Sequence, residues 1–322
     1  MSRAARVRTV LGDIEPSQLG VTDYHEHLFQ NTPLLPGDSL DDEVASTAEA
    51  GALLQSGAAA MVEATPLGLG RWPSAVARVS AATGLHVVHT SGAHREAHYD
   101  ASHPLLGEDN AGLRARFTHD LFVGMTDDND DAAALTPGGS PVLAGLLKIG
   151  IGYWAITAFE RRVADVVASI SAETGAPVMV HLEHGSAAHE ILDLLAEHGC
   201  KPGRVALAHV DRNPDPGLLV ELAARGAFLG FDGPGRHQRW PDSTILTCLD
   251  TVIAAGRGAN LLLGGDVARR SRYRAYGGMP GLQYLFDRFV PRLRREVGDQ
   301  ATSAILVDNP ARWLAWSPAA RP

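Results

Sequence analysis

Imidazoles, one amine and one carboxylate recur where the apolar runs of this chain stop. His25-Glu26-His27 follows the first run, Lys148 lies inside Ala-Gly-Leu-Leu-Lys-Ile-Gly-Ile-Gly, His181 and His209 close two later runs, and Asp266 ends Leu-Leu-Leu-Gly-Gly-Asp. Two histidines at i and i+2 of a strand share a face, so both rings of His25 and His27 can reach one ion. A lysine among apolar neighbours is costly as an ammonium, and burial drives its pKa down. The neutral amine can add carbon dioxide to give a carbamate, whose two oxygens and negative charge suit it to bridging two metal ions. Only Lys148 and Lys201 among the 28 basic residues are lysines. A lysine at this position is therefore informative, because arginine stays charged and cannot do that chemistry. Asp266 can ligate a metal and accept a proton from an attacking water. Each residue has a plainer alternative: a structural histidine in a chain with 14 of them, an ion-paired rim lysine, a helix N-cap aspartate. Their joint placement after apolar runs favours a shared site.

Positioning these residues requires short buried strands. Candidate strands fall at 20–25, 59–65, 85–91, 144–150, 177–182, 204–209, 227–232 and 260–266, each bounded by Gly, Pro or polar residues. Helical apolar spacing fills 157–175, 186–199 and 214–226, and recurs at 282–297 and 310–316. Eight strand–helix units predict an α/β fold, a (β/α)8 TIM barrel spanning 1–322 as one domain, with the polar strand ends converging on the C-terminal mouth. An open doubly wound sheet would share the alternation. Its GxGxxG turn is absent, since Gly68-Leu69-Gly70 and Gly150-Ile151-Gly152 both lack the third glycine.

Composition excludes other classes. With 322 residues, 45% of them hydrophobic, the chain can bury a large core. A net charge of −9 argues against a nucleic-acid partner, and no apolar run is long enough to span a membrane. Two cysteines and a start without an apolar leader segment predict a cytoplasmic location. The acidic stretch 126–141 reads as a solvated connection without calcium-loop spacing, and 317–322 as a frayed tail.

These motifs resemble the phosphotriesterase family of the amidohydrolase superfamily. The likeness runs from Thr9-Val10-Leu11-Gly12 to Asn309-Pro310. It rests on Gly20 to Leu28, Gly68-Leu69-Gly70-Arg71, the Lys148 strand, His181, His209 and Gly265-Asp266-Val267-Ala268-Arg269. The resemblance implies two divalent metal ions, commonly Zn2+. His25, His27 and Asp266 would hold one, His181 and His209 the other, and N6-carboxylated Lys148 would bridge them. Asp266 would be the catalytic proton acceptor. The resemblance also allows a homodimer acting on a small-molecule substrate.

The family includes lactonases, phosphotriesterases and amide hydrolases, and the fold does not choose among them. The loops after the third, seventh and eighth strands carry Arg95, Tyr99, Arg236, Arg239, Arg269 and Arg272 as candidate substrate-binding residues. Arginines at a barrel mouth suit a carboxylate or phosphate. The seventh loop resembles the branch that hydrolyses lactones of phosphorylated sugars. Arg269 fits that branch's phosphate arginine, Gln238 or Arg236 stands in the region of its lysine, and Arg272 stands where it has a tyrosine. A lactone or carboxylic ester with an anionic or polar substituent is the expected substrate. A phosphotriester hydrolase, an N-acyl amino acid amidase and a metal-free binding barrel are the alternatives.

Overall fold

The computed structural model describes residues 5–128 and 132–317, so 318–322 of the expected tail lie outside the described residues. A hairpin of β1 (Val7–Thr9) and β2 (Gly12–Ile14) precedes eight parallel strands. These are β3 (Thr22–Glu26), β4 (Ala60–Glu63), β5 (His86–Gly92), β6 (Leu146–Ile151), β7 (Val178–Leu182), β8 (Val205–Ala208), β9 (Phe228–Phe231) and β10 (Leu261–Leu263). They pair in sequence order from β3 to β10. All eight candidate strands are present, each shorter at one or both ends than its apolar run. The ring closes beyond β10, where the Asp266 amide donates to the His25 carbonyl at 2.9 Å. The open-sheet alternative is excluded.

Alternation along each strand divides the core. Leu146 of β6 packs inside with Val62, Val88, Met179 and Phe228, whereas Leu147, Ile149 and Ile151 face the surrounding helices. Val7 of the hairpin and Trp313 of the last helix join the inner cluster, plugging the end of the barrel where the strands start. Tyr24 fills the interior so closely that a Cβ on Gly230 would lie 2.0 Å from its hydroxyl. The opposite end, where the strands stop, is left to polar side chains.

The helices begin and end on local signals. Ala158–Thr174 opens with a Thr157/Glu160 capping box and stops at left-handed Gly175. Ala188–Glu197 and Pro216–Ala224 follow the predicted periodicity. The helix expected at 282–297 starts instead at Leu285 with a wide turn and continues, through a break at Gly298, to Ser303. Most described residues of the stretch 126–141 are exposed, as a solvated connection requires, and 129–131 lie outside the described residues. Asp127 and Asp128 are drawn inward because backbone amides need acceptors there: Ser74 donates to Asp127, and Gly68 and Arg71 donate to Asp128. No helix among the described residues is long and apolar enough to cross a membrane.

Candidate metal centre

His25, His27, Lys148, His181, His209 and Asp266 line one cavity of about 310 Å3 at the strand ends. His25 and His27 project from β3 and the residue just after it, their ring centroids 5.5 Å apart. Their Nε2 atoms lie 3.7 and 3.5 Å from Asp266 Oδ1. The ligand atoms of these three residues all lie within 4.8 Å of one another. Across the cavity, His209 Nε2 faces His181 Nδ1 at 2.8 Å. Lys148 is fully buried, and its Nζ donates to the Ala64 carbonyl at 2.7 Å. His209 and Asp266 both have left-handed backbones, φ 67° and 43°. Such strain in non-glycine residues gathers where side chains must be aimed.

Burial sets the protonation. It lowers His27 to about 4 and His209 to about 3, the latter helped by Arg212. It also holds His181 well below the usual histidine range, with His94 adding to the effect. Neutral imidazole is the form that ligates metal. Burial likewise brings the Lys148 amine down to about 8. Burial pushes Asp266 up, but Arg236, His25, His27 and His209 outweigh it and keep the carboxyl well below its ordinary value. Buried His25 Nε2 has no hydrogen-bond partner. An orphaned lone pair beside a second imidazole and a carboxylate is what a divalent cation would satisfy, so these residues fit one.

Behind the cluster lies a residue to which the sequence reading gave no role. Asp232, fully buried just beyond β9, accepts from Tyr24 Oη and His209 Nδ1 at 2.5 Å each, and lies 3.1 Å from His25 Nδ1. Accepting from the Nδ1–H groups keeps the lone pairs of both rings on Nε2, which at His25 has no partner and at His209 meets His181 Nδ1. His94 and His98 were also missed. They line the same cavity, with ring centroids 3.8 Å apart, and His94 lies 4.4 Å from His181. The His-x3-His spacing around Arg95 was the available signal.

The expected substrate residues divide. Arg95, Arg236 and Arg269 line the cavity, together with Arg212. Arg239 and Arg272 line an adjoining cavity of about 300 Å3. Tyr99 is not brought to either. Its hydroxyl donates to the Leu67 carbonyl and accepts from the His94 amide, and its ring packs in the core beneath the loop. Arg212 and Arg236 both contact Asp266 Oδ2, the former at 3.2 Å. Asp266 thus turns one oxygen to the imidazoles and the other to guanidinium groups.

A phospho-furanose lactonase of Mycoplasmopsis synoviae (strain 53) is 30% identical over 328 residues, covering 96% of this chain and 91% of the relative. An N-acetyltaurine hydrolase of Tetraodon nigroviridis is 27% identical over 360 residues, covering 97% and 99%. The crystal structure of a lactonase from Listeria monocytogenes superposes with a TM-score of 0.86 at 29% identity, covering 96% of this chain and 98% of that one. The profile of the phosphotriesterase family matches residues 5–314. With that match spanning the barrel and every strand end described above, the chain belongs to the phosphotriesterase family of metal-dependent hydrolases.

Proposed function

We propose that the protein hydrolyses a lactone or carboxylic ester that carries an anionic substituent, using two zinc ions. His25, His27 and Asp266 would hold one ion, His181 and His209 the other, with Lys148 carboxylated between them. The observation that carries this reading is the convergence of six such side chains from five strands and the residues that follow them on one cavity, with buried His25 Nε2 left unpartnered.

Divalent ions held by these residues would supply Lewis acidity toward a carbonyl oxygen and would acidify water. The protein supplies the rest. Asp232 fixes the imidazole tautomers. Asp266 accepts the proton of the attacking water and returns it to the departing alkoxide. Arg212 and Arg236 steady its second oxygen. Arg269, Arg236 and Arg272 offer guanidinium groups to the substrate's anionic arm, and Arg239 extends that wall. The names of the lactonase relatives support a lactone. The N-acetyltaurine hydrolase favours a second reading, an N-acyl amino acid amidase, in which the same arginines would hold the substrate's acidic group.

A panel of lactones, N-acyl amino acids and phosphotriesters assayed with zinc-loaded protein tests this. The expected result is the highest kcat/KM on a lactone bearing phosphate or carboxylate, lost in His25→Ala and Asp266→Ala. A higher kcat/KM on an amide or triester than on every lactone would overturn it.

A further inference from the structure

Three cavities adjoin at the barrel mouth. The first reaches the histidine cluster, and the second shares Arg212, Arg236 and Arg269 with it. The third, about 330 Å3, shares Arg212, His184 and Arg239 with the second and ends on Tyr153 and Trp154. Arg212 therefore walls all three. The order along this channel is reacting centre, guanidinium groups, aromatic pair.

The aromatic end is held in place. Trp154 has a left-handed backbone, φ 48°, a conformation that disfavours any residue with a Cβ. Its amide donates to Ser186 Oγ at 3.1 Å, and Gly152 bridges to Ala155 across the turn. Despite these restraints Trp154 is 63% exposed and the neighbouring Tyr153 61%. Tyr153 meets the His184 ring edge-on at 5.7 Å, and Arg239 donates to His184 Nδ1 at 3.1 Å. A strained, hydrogen-bonded turn that presents two aromatic faces beside cations is suited to a flat, anionic ligand.

Size points the same way. Ligand pockets run from roughly 300 to 1,000 Å3. The first cavity alone is at the lower bound and fits a monosaccharide-sized group. Two further cavities of similar volume lie beyond it, which a small lactone would leave unfilled.

We propose that the substrate extends along this channel, with a phosphate link at the arginines and a planar ring stacked on Trp154 and Tyr153. The proposal rests on the hydrolase reading for the position of the reacting bond. The ring site itself is testable by binding alone.

The test measures dissociation constants of adenosine 5′-monophosphate, phenyl phosphate and ribose 5-phosphate on zinc-loaded protein by calorimetry. Aromatic stacking on a ring of this kind predicts that the two ring-bearing phosphates bind roughly 10-fold tighter than ribose 5-phosphate. In Trp154→Ala the ratio falls toward one, and Trp154→Phe restores most of it. Preference for adenosine monophosphate alone would assign the ring to a nucleobase; preference for both would assign it to any planar group. Equal binding of all three by the wild type would overturn the proposal, as would an unchanged ratio in Trp154→Ala. Conversion of a dimer to a monomer by Trp154→Ala in sedimentation velocity would also overturn it, because the pair would then be an interface between copies. If no ester is cleaved but the ring preference holds, the hydrolase reading fails and the ring site stands.

Discussion

Asp232→Asn separates the tautomer-fixing role of Asp232 from simple packing. The Asp232 carboxylate takes four donors: Tyr24 Oη, His25 Nδ1, His209 Nδ1 and the His209 amide at 3.1 Å. It is itself held well below the ordinary carboxylate range; burial pushes it up, but His209 and His25 outweigh that. An asparagine offers one acceptor oxygen, and its NH2 group must face one of these donors. At least one imidazole then loses its acceptor at Nδ1 and can move its proton to Nε2, which removes a ligand lone pair. Loss of such a partner weakens metal binding about 10- to 100-fold, or about 1.4 to 2.7 kcal/mol. Competition titration against a chromophoric zinc chelator measures this, with circular dichroism to check the fold. Tyr24→Phe is the control. It removes one hydrogen bond to the same carboxylate, worth about 1 kcal/mol of stability, and leaves both imidazoles their acceptor. Zinc affinity of Asp232→Asn within twofold of the wild type would refute the assignment.

His89 of β5 is fully buried, and burial, with Arg71 adding to the effect, lowers it to about 3. The unfolded chain takes up a proton below about pH 6.5 while the folded chain does not, so this contribution is full above that pH and is lost as the pH falls toward 3. At pH 5 the loss is about 2 kcal/mol. Denaturant unfolding of His89→Leu should therefore show about that much less destabilisation between pH 7.5 and 5 than the wild type; identical slopes would contradict it. Gly230→Ala places a Cβ 2.0 Å from Tyr24 Oη, which should destabilise the barrel by about 1 to 3 kcal/mol or more, and an unchanged melting temperature would show that Tyr24 can move aside. Arg236→Gln removes one of the two cations on Asp266 Oδ2 and lines the proposed anion site. Its KM should rise more for a phosphorylated than for an uncharged lactone, and an equal rise would separate Arg236 from anion binding.

Much of this site was legible because its parts fall where strands stop. Buried parallel strands write themselves as short apolar runs, and a polar residue ending such a run has few places to go except the mouth. His25, His181 and His209 are singled out this way, and Lys148 by its apolar neighbours. Asp232 also ends such a run, yet a carboxylate working behind an imidazole has no spacing of its own to betray it. Tyr99 looked like a loop residue, but its ring is drawn into the core while its hydroxyl bonds to backbone groups. Asp127 and Asp128 sat in a stretch of acidic, loop-forming composition, and only the fold reveals the backbone amides that pull them inward. The hairpin of β1 and β2 has three-residue strands, too short for periodicity to register.

The most direct measurement is X-ray diffraction from zinc-loaded crystals, recorded on both sides of the zinc absorption edge. The account predicts two anomalous peaks, one within ligand distance of His25, His27 and Asp266 and one by His181 and His209, with added density on Lys148 Nζ lying between them. A single peak elsewhere, or an unmodified Lys148 amine still bonded to the Ala64 carbonyl beside a fully occupied site, would contradict it.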